Sequence, residues 1–119
     1  METNIANFRD LLRVYEGEEY LSIVINYEYY RCAVDCTKLE GEIMINRLIV
    51  HKKLRRKGIA KLLMTELCDY LDRNKFSCVL GVESEDPLGM NDGLLVEFYK
   101  RYKFESIPED TYFMRRDSK

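Results

Sequence analysis

Histidine occurs once in the chain, as His51, and the four cysteines, Cys32, Cys36, Cys68 and Cys78, form no Cys-x-x-Cys pair. Such spacing advertises no structural zinc and predicts reduced, mostly buried thiols, with Cys32 and Cys36 on the same side of one strand. No stretch approaches the roughly 18 apolar residues of a membrane-spanning helix. Met1 to Ile5 lack the basic region, apolar core and small-residue cleavage pattern of a secretory leader, which predicts a soluble, cytoplasmic protein with no membrane partner. Neither the three-glycine dinucleotide pattern nor the phosphate loop ending in Gly-Lys-Ser/Thr is present. With no repeat, low-complexity tract or linker, 119 residues at 46% hydrophobic and 34% charged content predict one compact domain over residues 1–119.

Positive charge without acidic neighbours is concentrated in one place. Positions 52–61 carry Lys52, Lys53, Arg55, Arg56, Lys57 and Lys61 with no acidic residue; removing these six from the net charge of −2 leaves −8 on the remainder. A general nucleic-acid binder spreads basic residues over a face and is basic overall, so this balance argues against nucleic acid and for a single anionic ligand. A small nucleic-acid-binding domain would also need cations beside the dense tyrosines Tyr27, Tyr29 and Tyr30, and few are near them in sequence.

The basic stretch joins two readable elements. Ile43 to Val50 is rich in β-branched and apolar residues and predicts a strand. After Gly58, Ile59, Leu62, Leu63, Leu67, Tyr70 and Leu71 recur at helical spacing, predicting a helix to about Asn74. A helix start leaves N–H groups without partners and carries partial positive charge, so a glycine turn feeding it can wrap a pyrophosphate, with Gly58 and Ala60 keeping side-chain bulk away. Cations at that end oppose the macrodipole, and an anion offsets the cost.

Elsewhere, Ile5, Phe8, Leu11, Leu12 and Tyr15 fit one helical stripe ending near Gly17. Tyr20–Tyr30 and Arg31–Thr37 read as strands, making with the strand after Gly41 an antiparallel meander of about three. Ser77–Val82 predicts the next strand of a βαβ unit, broken by Asp86-Pro87-Leu88-Gly89. A second helix is expected from about Asn91 to Tyr102, capped by Asn91 or Asp92 and burying Leu94, Leu95, Phe98 and Tyr102. Phe104–Ile107 and Thr111–Arg115 read as a terminal hairpin divided by Pro108-Glu109-Asp110.

The hexapeptide Arg55-Arg56-Lys57-Gly58-Ile59-Ala60, with its strand before and helix after, resembles the [Arg/Gln]-x-x-Gly-x-[Gly/Ala] signature of the GCN5-related N-acetyltransferase (GNAT) family. Phe98-Tyr99-Lys100-Arg101-Tyr102-Lys103-Phe104 is similar to the family's helix-end segment Phe-Tyr-Glu-Lys-Leu-Gly-Phe, with Lys103 where glycine is usual. The resemblance covers about residues 41–116. It implies a mixed α/β, GNAT-like fold with a mostly antiparallel sheet of about six strands, a βαβ unit at the coenzyme A site and a trimmed N-terminal part. The short form resembles small members found in bacteriophages and mobile elements, some of which modify proteins of a competing system.

By the same resemblance the ligand is acetyl-coenzyme A as co-substrate. Its pyrophosphate would lie on the amides of Arg56, Lys57, Gly58, Ile59 and Ala60, its 3′-phosphate near Arg55, Lys61 and their neighbours, and its pantetheine arm along backbone groups of Leu48 and Val50. Tyr99 becomes the candidate acid for the departing thiolate. The family's strand glutamate is replaced by Met44. That leaves Glu42 or Asn46, on the same strand face, to order a water as base, or Glu83 at the end of the next strand, where Glu85 and Asp86 would add an acidic rim for a cationic acceptor. His51 reads rather as a surface or phosphate-side histidine. The implied activity is N-acyl transfer, acetyl or longer, to a primary amine. An open acceptor side favours a protein lysine or N-terminal amine. The alternative is a non-catalytic coenzyme A-binding or interaction module on the same fold, to which Tyr99 would be dispensable.

Overall fold

The computed structural model describes residues 5–82 and 92–117. Chain order is α1 (Ile5–Leu11), β1 (Leu12–Glu16), β2 (Tyr20–Tyr27), β3 (Tyr30–Leu39), β4 (Glu42–Ile49), a 3-10 turn (Lys52–Leu54), α2 (Ile59–Asn74), β5 (Ser77–Gly81), α3 (Asp92–Lys100), β6 (Glu105–Ile107) and β7 (Asp110–Arg116). One seven-stranded sheet runs β1-β2-β3-β4-β5-β7-β6. All its neighbours are antiparallel except β4 and β5, which are parallel across the α2 crossover.

α2 follows its sequence pattern closely. Ile59, Leu62, Leu63, Met64, Leu67, Tyr70 and Leu71 form its buried stripe, and it ends as Lys75 enters the left-handed region and donates its N–H to the Leu71 carbonyl. Each fully buried leucine or isoleucine of that stripe contributes about 1.5–3 kcal/mol by leaving water. The strand residues that meet it are Leu21, Ile23, Ile25, Val34, Cys36, Ile43 and Ile45, which alternate with period two. Cys32, Cys36 and Cys78 are buried in this core, and burial pushes the Cys36 thiol up to about 12.

Three expectations need correction. The N-terminal helical stripe stops at Leu11, and Leu12–Glu16 is a strand in register with Leu21–Ile25, so the meander has four strands and the sheet seven. A five-residue segment can satisfy helical spacing and still gain more from a ladder beside β2. The second helix ends at Lys100, not Tyr102, and Leu94 on it is exposed while Tyr99 is buried. Its expected cap at Asn91, and the break at residues 86–89, lie outside the described residues.

β4 carries one irregularity that matters for the site. Its ladder with β3 pairs Ile45 with Cys36 and Arg47 with Asp35, leaving Asn46 as an extra, bulged residue. Before it, odd-numbered Ile43 and Ile45 face the helices; after it, even-numbered Leu48 and Val50 are the buried ones. β4 and β5 are paired only from Glu42↔Ser77 to Ile45↔Leu80, so the two strands part at the bulge.

Candidate functional site

Past the bulge, the chain leaves the sheet through Val50 and turns at His51. The His51 imidazole accepts the Lys53 N–H (3.2 Å) and its carbonyl accepts the Leu54 N–H (2.8 Å), closing the 3-10 turn, while buried Leu54 ties that turn to the core. Arg55 is extended and folds its side chain back, donating Nε–H to the Val50 carbonyl (3.1 Å). Arg56 (φ 64°) and Gly58 (φ 82°) are both left-handed. Left-handed residues this closely spaced are a feature of the tight backbone turns that can form anion-binding concavities.

Gly58 is the N-cap of α2 and offers no side chain to the first-turn N–H groups; no acidic residue occupies that turn either. These donors and the helix dipole are thus available to an external anion. In front of them lies a cavity of about 690 Å³, lined by Val50, Lys52, Leu54, Arg55, Arg56, Gly58, Ile59, Ala60 and Lys61 on one side and by Leu94, Phe98 and Arg101 on the other. Five lining residues are cationic and none is acidic. The remainder is mostly apolar, so the cavity suits a long ligand with a multiply charged phosphate end and a weakly polar arm.

Of the residues singled out from sequence, Val50, Arg55, Arg56, Gly58, Ile59, Ala60 and Lys61 meet at this cavity. Leu48 is buried beneath it in the core, and Lys57 is exposed and outside the lining. Lys52, Leu54, Leu94, Phe98 and Arg101 complete the wall. Arg101 could have been anticipated: it falls three residues after Phe98 and seven after Leu94, which places all three on one helical face.

Tyr99 sits on the adjacent face of α3, 7% exposed, its ring edge-on to Phe98 (5.3 Å) and Phe104 (5.9 Å). Its carbonyl accepts the N–H groups of Tyr102 (2.9 Å) and Phe104 (3.4 Å). That turn is closed because Lys103 adopts φ 73°, the left-handed conformation for which glycine is the usual choice.

The base candidates fare differently. Glu42 lies at the opposite end of β4, eight residues or about 26 Å of strand from Val50. There its carboxylate is held by Arg115 (2.8 Å) and accepts the Ser77 hydroxyl (3.3 Å), which removes it from the site. Asn46 donates to the Thr37 hydroxyl (2.7 Å). Glu83, Glu85 and Asp86 lie outside the described residues. His51 stacks against Tyr30 (4.2 Å between centroids), with the Lys53 ammonium 5.8 Å from that ring, so the structure brings one cation of the basic stretch to one of the tyrosines.

A strand–turn–helix crossover whose cationic glycine turn opens on a partly apolar cavity defines a mixed α/β domain with its cleft at the start of the crossover helix. Residues 14–106 match the model of the acetyltransferase (GNAT) domain, and the chain belongs to that family. Among solved structures, the anti-CRISPR protein AcrVA5 superposes with a TM-score of 0.61 at 25% identity, covering 79% of this chain and 96% of that one. The ribosomal-protein-S18-alanine N-acetyltransferase from Escherichia coli superposes with a TM-score of 0.67 over 98% of this chain and 91% of that one, at 12% identity, and so speaks for the fold alone. No curated protein matches the chain. No helix among the described residues is long and apolar enough to cross a membrane.

Proposed function

We propose that the protein is an acyl-coenzyme A-dependent N-acyltransferase that moves an acetyl group from acetyl-coenzyme A to a primary amine. The observation that carries this reading is the cavity at the start of α2, where five cations and an uncapped helix face an apolar wall. The pyrophosphate takes the amides of residues 56–60, Lys52, Lys61 and Arg101 take the remaining phosphate charge, and the pantetheine arm runs past Val50 toward the gap between β4 and β5. A neutral amine attacks the thioester carbonyl, the C–N bond forms, and the C–S bond breaks with its electron pair leaving on sulfur. Tyr99 donates its hydroxyl proton to that sulfur, and the amine's proton passes to a base for which Glu83 is our candidate. Much of the rate enhancement comes from holding the two substrates in line.

The acceptor we favour is a protein amine, lysine or N-terminal. The likeness to an anti-CRISPR protein supports a role against a partner macromolecule and a mobile-element setting. A cytoplasmic location follows from the co-substrate. The burial of Tyr99 behind Phe98 favours a second reading, a coenzyme A-binding module without transfer activity.

Gly58→Glu tests the site. A carboxylate at the pyrophosphate seat repels the ligand, so calorimetry should detect no acetyl-coenzyme A binding in a variant with an unchanged circular dichroism spectrum. Full affinity in the folded variant overturns the assignment. Free-thiol release with a panel of amines and peptides then separates the enzyme, which releases thiol, from the binding module, which binds without release.

A further inference from the structure

Among the described residues, Arg116 is the one charged side chain buried in the interior, 4% exposed, and neither the cavity lining nor the proposed chemistry uses it. It closes β7 opposite Cys78 of β5, and Cys78 is fully buried, so the guanidinium enters the layer between sheet and helices. A charge in such a place is costly unless it is paired and hydrogen-bonded. Here it is both. Its two Nη groups donate side by side to the carboxylate oxygens of Asp72 on α2 (3.0 and 3.3 Å), and Nε–H donates to the Tyr102 carbonyl (2.9 Å).

Three parts of the chain therefore meet on one side chain: β7, the C-terminal end of α2 and the segment that follows α3. With nine residues, α3 is too short to hold its shape without tertiary support. Past Lys100 it tightens into turns in which the Tyr102 N–H donates to the Tyr99 carbonyl (2.9 Å) and the Lys103 N–H to that of Lys100 (3.0 Å). The Tyr102 carbonyl, at the end of this run, is the one Arg116 takes, and a cation at a helix C-terminus also complements the macrodipole. The same turn carries Tyr99 and the cavity-lining Arg101.

We propose that Arg116 is a positioning residue for the far wall of the cavity: braced on Asp72, it fixes the last turn of α3, and with it Tyr99 and Arg101, against α2. It acts through those two residues. The kinetic consequence rests on the acyl-transfer reading, whereas the brace itself does not.

Arg116→Met tests it, since methionine keeps an aliphatic stem and removes every donor, while Asp72, 38% exposed, returns its carboxylate to water. Amide hydrogen exchange followed by mass spectrometry on the folded variant should rise at least about tenfold over residues 98–104 and stay within about twofold over Ile59–Leu71. Steady-state rates should show kcat lowered about 10- to 100-fold and the KM for acetyl-coenzyme A raised no more than about threefold, as a small misplacement of a reacting group does. In a Tyr99→Phe background the same substitution should change kcat less than about threefold, because the group it positions is gone. Asp72→Asn, which keeps an acceptor but not the charge, should reproduce these effects more weakly and serves where Arg116→Met does not fold. Unchanged exchange over residues 98–104, or a rise shared equally by α2, overturns the proposal. So do kcat losses that multiply in the double variant. A parent that releases no thiol with any amine, while the exchange rise stays confined to residues 98–104, upholds the brace and fails the acyl-transfer reading instead.

Discussion

The two ends of β4 use the same kinds of residue to opposite effect. At Glu42, the carboxylate, the Ser77 hydroxyl, Arg115 and Asp117 satisfy one another. At Val50, Lys52, Arg55, Arg56, Lys61 and Arg101 gather around one cavity with no acidic residue in its lining. Balanced charges describe a structural join between strands. Charge of one sign at a helix start is disfavoured by the macrodipole, a cost that the proposed anionic ligand would offset.

The sharpest way to break that contrast is at Tyr99, beside the cavity wall. Tyr99→Phe keeps the ring packed on Phe98 and Phe104 and should lower kcat about 10²- to 10⁴-fold with little change in acetyl-coenzyme A affinity. Steady-state rates with an identified amine check this, and turnover within about threefold of the parent would make the tyrosine a packing residue only. Next in size, Arg101→Gln should weaken coenzyme A about tenfold and reduce the salt dependence of binding, while a dephosphorylated analogue is less affected. Calorimetry at two ionic strengths measures both, and identical effects on the two ligands would point Arg101 at the pyrophosphate instead.

At the other end of β4, Glu42→Gln should leave kcat within about threefold of the parent. It should cost less than about 1 kcal/mol, because its partner Arg115 is well exposed. A large loss of turnover at constant stability would return Glu42 to the chemistry. The smallest effect concerns the paired network further along the sheet. Hydrogen bonds from Arg31, and then from Ser22, hold the Asp35 carboxyl below the usual range. The folded state therefore binds this proton less readily than the unfolded state. Its stabilisation is present above the ordinary aspartate value and is lost as pH falls below about 4. Asp35→Asn should flatten that acid limb slightly in thermal melts recorded from pH 6 to pH 3, and a limb as steep as the parent's would deny Asp35 the role.

Where a segment's local pattern and its tertiary fate agree, the sequence was legible. β4, the glycine turn and α2 are of this kind, because apolar periodicity and the phosphate-type turn point the same way. Leu12 to Tyr15 are not: their spacing continues a helix, and only pairing with residues about ten positions further on makes them a strand. The far wall of the cavity was hidden for a similar reason. Leu94, Phe98 and Arg101 reach it from a helix more than thirty residues after the turn, and Leu94 reads as core until its neighbour across the cavity is known. The bulge at Asn46 has no glycine to announce it. Strand alternation alone therefore put Glu42, Met44 and Asn46 on one face without revealing that Leu48 and Val50 lie on the other.

That bulge leaves β4 one residue longer than its ladder with β3 requires. Swapping Asn46 for another polar residue loses one hydrogen bond to Thr37, whereas excising it would make the strand run in unbroken alternation. Arg47 would then follow Ile45 directly and stay opposite Asp35, and Leu48 and Val50 would keep the core face. One residue of surplus chain thus acts as slack in the strand: a single-codon deletion at Asn46 should be borne far better than deletion of Leu48 from the regular ladder beside it, which would carry Arg47 toward the core or break the pairing.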